Sequence, residues 1–346
     1  MTSPSVTIVV TQRERVSAMQ EALESLYADT SRPFELIYVT GRLGGGARRW
    51  LETEAQRRGF LHIDAGRRLT PAEARNLGAM RATSAHVLFI ENDVVVQAGW
   101  LDALLRCADE TRADVVAPLT CEGRPLHTVI HYVGTADTNQ ATFGADGTGL
   151  RDYHEAFHLQ GCERTAVADQ LRRRRTLACE MHCFMVRRAF LEQIGYFDPM
   201  IVSKEYLDFS WGAEHAGAQM WIEPAAVVTF LIPSKADPVR ARDLPDFLLR
   251  WSHQWQRRSH DALKAKWGLQ ETGYIAKRRA MADWRVVDHL AKPLLEKVPV
   301  LGRRWGFVTR GAKLVYPLLS LAGTAVFWRY ERDRRRAEKR SWPAHA

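Results

Sequence analysis

A disulfide framework, a bilayer-length apolar run and a glycine-rich phosphate motif are all missing from this chain, and each absence narrows what it can be. Five cysteines, at 107, 121, 162, 179 and 183, are an odd number without framework spacing. With no apolar leader ahead of the first strand, they predict a protein of a reducing cytosol. The longest uncharged stretch in the C-terminal part, Leu314 to Trp328, is fifteen residues and contains Pro317. A span needs about 20, so a transmembrane helix is not expected. Gly44-Gly45-Gly46 is followed by neither Lys-Ser/Thr nor a G-x-G-x-x-G pattern, which favours a loop entering a helix over a phosphate cradle. Cys179, His182 and Cys183, with His154, His158 and Cys162 upstream, lack the two spaced pairs of a zinc box and read as packing.

What is present is a core. At 46% hydrophobic and 10% aromatic over 346 residues, there is material for one large domain of roughly 200 to 250 residues plus an appendage. Forty-nine Lys and Arg against 40 Asp and Glu give +9. Such a surface attracts phosphates, nucleic acid or anionic lipid alike, and charge alone does not choose among them.

Along the chain, short β-branched runs alternate with amphipathic helices. Strands are expected at Ser5–Val10, Phe34–Thr40, Phe60–Ile63 and His86–Ile90, with helices following at Val16 to Leu26, Gly44–Arg58 and Glu73–Arg81. This rhythm predicts a parallel sheet covered by helices on both faces. Such sheets bind ligands at the C-terminal edge of their strands. Glu91, Asn92 and Asp93 stand at that edge, and two carboxylates there suit Mg2+ or Mn2+ shared with phosphate oxygens. From Asp114 onward the pattern changes to strands with long polar connections, a charged helical segment over 150–176 ending in Arg172 to Arg175, and an apolar strand from Ala178 to Val186. The four arginines read as a solvated surface, with a phosphate grip as the minority alternative.

Two blocks occur in a recognisable order. The first is A-R-N-L-G at 74–78, E-N-D at 91–93 and V-x-x-G-W-L at 96–101; the second is Arg187-Arg188, I-G-x-F-D at 194–198, L-D-F at 207–209, Ala216-Gly217 and P-x-A-x-V at 224–228. Over roughly residues 5 to 230 the chain resembles the family 2 glycosyltransferases of the GT-A fold. The resemblance implies an α/β, Rossmann-like, mostly parallel central sheet, with a nucleotide-sugar half at 1–113, an acceptor half at 114–235 and a helical C-terminal region at 236–346. It implies inverting transfer of a sugar from a nucleotide-diphosphate donor to a hydroxyl of a glycan or lipid-linked acceptor, in cell-surface polysaccharide assembly.

By the same resemblance, Arg75 and Asn76 lie near the nucleotide, as do Thr11 and Arg13 after the first strand and Thr40 at the end of the second. Glu91, Asn92 and Asp93 take the metal and diphosphate position, with Asp93 and Glu91 as ligands of a divalent cation. The chain departs from the family pattern in four places. Glu91 replaces the usual Asp, Thr40-Gly41-Arg42 lacks the Asp expected after strand two, Thr229-Phe230 stands where many relatives place a metal-binding His, and Tyr206 occupies the commonest base position. Glu205 and Asp208, three apart, remain as bases and are expected to face one cleft. These departures, with the net charge, keep open a second class of function: a catalytically inactive GT-A protein that binds anionic partners, phospholipid more than nucleic acid.

After residue 235 the sequence is helical, basic and rich in Trp. Residues 303–340 combine an aromatic-ended apolar stretch with Arg303-Arg304 and a cluster from Arg332 to Arg340. Two readings are equally supported: a helix lying on the anionic inner face of the cell membrane, or one packed on the catalytic core or in an oligomer.

Overall fold

The computed structural model describes residues 5–135, 141–143, 150–153, 156–234, 237–269, 274–297 and 305–341. The first half alternates as expected: β1 (Val6–Thr11), α1 (Met19–Ala28), β2 (Glu35–Thr40), α2 (Gly45–Arg58), β3 (Leu61–Asp64), α3 (Pro71–Ala79), β4 (His86–Glu91), β5 (Val94–Val96) and α4 (Trp100–Thr111). The second half contributes β6 (Val115–Glu122), β7 (Val129–Tyr132), a ribbon of β8 (Ala141–Phe143) and β9 (Leu150–Tyr153), β10 (Arg174–Arg175), β11 (Cys183–Arg187), α5 (Arg188–Gln193), α6 (Glu205–His215) and β12 (Met220–Phe230). Five helices follow: α7 (Leu244–Arg250), α8 (His253–Trp267), α9 (Tyr274–Val286), α10 (Lys292–Glu296) and α11 (Trp305–Ser341).

The sheet runs β10-β12-β6-β11-β4-β1-β2-β3, with β5 on β12 and β7 on β6. β1 to β4 are parallel, and β6 and β12 are parallel to each other. β11 runs against both β4 and β6 at the centre. The sheet is therefore mixed, and this reversed strand matters for the site: its start arrives at the edge where β4 ends.

Continuous apolar runs in β1 and β4 follow from burial on both faces. Val9, Val87 and Phe89 pack to one side with α3, α5 and α6. Ile8, Val10, Leu88 and Ile90 pack to the other with α1, α2 and α4. α3 starts at Pro71, two residues ahead of the expected Glu73: Thr70 caps it, Glu73 completes a capping box and Pro71 takes the first turn. Two expectations fail here. The segment 150–176 holds β9, a 3-10 turn at Thr165–Gln170 and β10 rather than a charged helix. The apolar run from Ala178 becomes a strand only at Cys183, because Glu180 and His182 hold the preceding residues in a turn through a side-chain bond, His182 N to Glu180 Oε2 at 2.7 Å.

The C-terminal region is bound to the sheet and its helices by polar contacts. Arg15, 1% exposed, reaches Asp237 at 2.8 Å. Asp243 accepts from Ser17 N and Oγ at 2.7 Å, and Trp255 Nε1 donates to Val202 O at 3.0 Å. Phe327 and Tyr330 of α11 join Val202, Leu249 and Trp255 in one apolar cluster. The expected boundary near 235 thus divides the sequence without dividing the packed body.

Gly78 of α3 lies against β1 so closely that an added Cβ would stand 2.2 Å from Val9 Cγ1. Val is stiff at χ1, so the strand cannot yield cheaply. Gly78→Ala is expected to destabilise by about 1–3 kcal/mol through overpacking. Gly46→Ala, in a helix with open space around it, should be neutral or stabilising by up to about 1 kcal/mol. Denaturant unfolding of the two variants checks the contrast.

Candidate active site

Four segments meet at the C-terminal edge of β1 and β4: the loop after β1, the β4–β5 turn, the residues entering β11 and the start of α6. Arg13 Nε lies 2.9 Å from Glu91 Oε1, and its Nη1 lies 3.0 Å from Glu205 Oε1. Arg75 reaches the same two carboxylates at 3.1 and 3.6 Å. His182 Nδ1 stands 2.7 Å from Glu91 Oε2. All five side chains are buried. Burial opposes each charge, yet the partners outweigh it in most of them: Glu91 and Glu205 are held below the usual carboxylate range by Arg13 and its neighbours, and His182 is raised by Glu180 and Glu91. For Arg75 burial wins and lowers its affinity for the proton.

Asp93 differs from every carboxylate around it. It is 1% exposed, and neither oxygen has a hydrogen-bond partner. Burial and then Glu91 push its carboxyl well above the ordinary range. It borders a cavity of about 180 Å³ also walled by Arg13, Lys204, Glu205, His131, Glu180, His182, Arg250, Arg278 and Arg285. A buried carboxylate with unused oxygens, facing a cationic cavity, fits a divalent cation. Glu91 offers no such spare oxygen, since both of its oxygens are taken by Arg13, Arg75 and His182.

The remaining sequence-predicted residues are placed as follows. Asn92 is a brace: its Oδ1 accepts from Arg13 N at 2.6 Å and its Nδ2 donates to Arg15 O at 3.1 Å. Asn76 clasps the backbone of Phe197 through both its amide atoms, at 2.8 and 3.1 Å. Thr11 is buried and its carbonyl accepts from Asn92 N at 3.0 Å. Thr40 shares its hydroxyl with His62 Nε2 at 2.8 Å. Glu205 and Asp208 do not face one cleft. Glu205 points into the cavity, whereas Asp208 points to α8, held by Lys266 Nζ at 2.8 Å and Trp267 Nε1 at 2.8 Å. The run at 172–175, expected as a solvated surface with a phosphate grip as the alternative, is largely spent on the protein: Arg173 pairs with Glu223 and Glu110, Arg174 donates to Thr135 O, and Arg175 to Gln219.

Sequence reading missed the contribution of the C-terminal helices. Arg250 of α7 pairs with Glu14 at 2.6 Å. Arg278 of α9 bonds Ser203 Oγ and Gln256 Oε1 at 2.9 and 3.0 Å, and Arg285 lies over the Trp251 ring at 5.3 Å. Asp246 of α7 is held by Gln12 and Arg68 at 3.0 and 2.8 Å beside Gly41. A carboxylate therefore stands near the end of β2, where the local sequence has none. Arg-Trp pairs recurring in an otherwise polar helical region were the available signal.

Curated relatives include the pre-mycofactocin glycosyltransferase of Mycobacterium tuberculosis, 26% identical over 158 residues, which are 46% of this chain and 29% of that protein. The chain therefore matches less than a third of the relative's length. Among solved structures, GalNAc-T7 bound to UDP, GalNAc and Mn2+ aligns at 16% identity over 86% of this chain and 58% of its own, with a TM-score of 0.51. Staphylococcus aureus TarS with UDP covers 96% of this chain and 92% of its own at 15% identity and a TM-score of 0.46. The first of these likenesses agrees with the GT-A fold described above. The family model described as Glycosyl transferase family 2 matches residues 5–195, more than half of the chain, and the protein belongs to that family.

Proposed function

We propose that the protein transfers a sugar from a nucleotide-diphosphate sugar to a hydroxyl acceptor, with inversion at the anomeric carbon, inside the Asp93 cavity. One observation carries the reading: a buried carboxylate with two unpartnered oxygens faces a cavity ringed by four arginines and a lysine. Asp93 would hold the divalent cation, which when bound neutralises the departing diphosphate. Arg250, Arg278 and Arg285 supply further positive charge to that leaving group from the C-terminal helices. Glu205, the carboxylate on the cavity wall, takes the acceptor proton. At rest it is paired with Arg13; when Arg13 turns to the diphosphate, Glu205 loses a cationic partner and becomes a stronger base. Asp208 instead holds α8 against α6.

These roles separate by mutation. Asp93→Asn should fold and lose about a hundredfold or more of turnover, measured as nucleotide release from a panel of UDP-, GDP- and dTDP-sugars with Mn2+. Near wild-type turnover would sink the assignment, and a wild-type protein that releases no nucleotide from any donor would favour the inactive binding protein instead. Glu205→Gln should lower kcat by about 10²–10⁴ with nucleotide binding retained. Asp208→Asn should chiefly lower stability, because it removes the charge that pairs with Lys266 and leaves Trp267 Nε1 a weaker acceptor; a kcat loss equal to that of Glu205→Gln would reassign the base.

We also propose that the enzyme works against an anionic membrane surface, on a glycan or lipid-linked acceptor. The fifteen-residue stretch is the middle of the 37-residue α11, which is long and apolar enough by length and composition to cross a bilayer. One side of α11 packs on α7 and α8, so close that a Cβ on Gly323 would stand 3.0 Å from Leu248 O. The other side exposes Phe307, Leu314, Leu318, Leu321 and Trp328, at the three- and four-residue steps of one helix face. A helix so divided suits lying on a surface better than crossing it. Arg303 and Arg304 lie outside the described residues. Because removing α11 would strip the apolar cluster around Trp255, point changes are the cleaner test. Leu314→Ser, Leu318→Ser and Leu321→Ser combined should abolish pelleting with phosphatidylglycerol vesicles while nucleotide release in solution persists. Unchanged pelleting would leave the stripe as an oligomer contact.

A further inference from the structure

The cavity contains a second constellation that the donor chemistry does not require. One ligand atom from each of His131, Glu180 and His182 lies within 4.8 Å of the other two. They come from β7 and from the turn before β11, which the reversed direction of β11 brings to the same edge. The two imidazoles are held alike. His131 Nδ1 meets Glu122 Oε2 at 2.8 Å, and His182 Nδ1 meets Glu91 Oε2 at 2.7 Å. A neutral ring that donates Nδ1–H to its carboxylate offers Nε2 to a metal ion, and on His182 that atom stands 3.5 Å from Glu180 Oε1. That carboxylate–histidine arrangement is the one that orients metal-binding imidazoles and raises their basicity. His182 is further fixed by stacking on Phe230, centroids 3.8 Å apart at 18°.

We propose that His131, Glu180 and His182 form a site for a divalent transition ion of the Mn2+ or Zn2+ class, with its open positions toward the cavity shared with Asp93. Zinc binds imidazole nitrogen at about 2.0–2.1 Å, which puts the ligands of a tetrahedral ion roughly 3.4 Å from each other. His182 Nε2 and Glu180 Oε1 are 3.5 Å apart. Two imidazoles and one carboxylate select a transition ion over Mg2+, which prefers oxygen and water. Cys179 and Cys183 play no part: both thiols are buried and raised far above their ordinary range by burial, in keeping with packing. Only the ion's use in sugar transfer rests on the reading above; its binding does not.

The test uses full-length protein stripped with EDTA and no nucleotide. Titration with Mn2+, Zn2+ and Co2+, followed by calorimetry and by the visible spectrum of Co2+, should show one high-affinity ion per chain that millimolar Mg2+ does not displace. His131→Ala and Glu180→Ala should each weaken it at least tenfold. Glu122→Gln, which touches the site only through His131, should weaken it by about ten- to a hundredfold. Absence of binding by the wild type, displacement by Mg2+, or unchanged affinity in both ligand variants would overturn the site. Circular dichroism checks folding, and the Co2+ spectrum of the wild type decides if a variant does not fold. Metal binding without nucleotide release would defeat the transferase reading alone, and Mg2+-supported release without transition-ion binding would defeat this inference alone.

Discussion

The structure depends on a buried exchange of charge among Arg13, Arg75, Glu91, Glu205 and His182. Burying an ion costs several kcal/mol even after relaxation, and only close partners offset it. Here each charge is offset by a residue from a different part of the chain: the loop after β1, α3, the end of β4, the start of β11 and the start of α6. Removing one partner would strand the others, at about 3–5 kcal/mol for a buried pair. The network therefore holds the strands before residue 114 and the segments after it in one arrangement. It also keeps Glu91 occupied, which leaves Asp93 as the carboxylate with oxygens to spare.

Around that centre the C-terminal helices act as a wall of the cavity that Asp93 borders. Arg250, Arg278 and Arg285 are positioned by Glu14, Ser203, Gln256 and Trp251, so their placement is tied to the catalytic domain they face. The basic surface implied by the +9 charge is thus partly an interior one. Charge that composition assigns only to the chain as a whole is in part concentrated on the wall of the cavity that Asp93 borders.

Much of the fold was legible because its signals are local. The β-branched runs at β1, β2 and β4, the Thr70–Glu73 capping box and the helical spacing of Leu23 and Leu26 all report burial within a few residues. The segment 150–176 misled because its charge pattern looks like a solvated helix, while its arginines are used one by one on Glu223, Thr135 and Gln219. The run from Ala178 misled in the opposite way, since an apolar stretch hides the fact that Glu180 and His182 turn toward a cavity.

By itself the sequence determined the alternation of elements, the sheet edge where Glu91, Asn92 and Asp93 stand, and the nomination of Glu91 with Asp93 and of Glu205 with Asp208 as pairs of candidates, because periodicity and short motifs are properties of neighbouring residues. Tertiary structure alone decided that Glu91 is consumed by ion pairs, that Asp208 turns to α8, and that His131 meets Glu180 and His182 across some fifty residues of chain. It also decided that helices beyond residue 235 complete the cavity. Those outcomes depend on which strand runs in which direction and on which buried charges compensate one another, and neither is written in the spacing of adjacent residues.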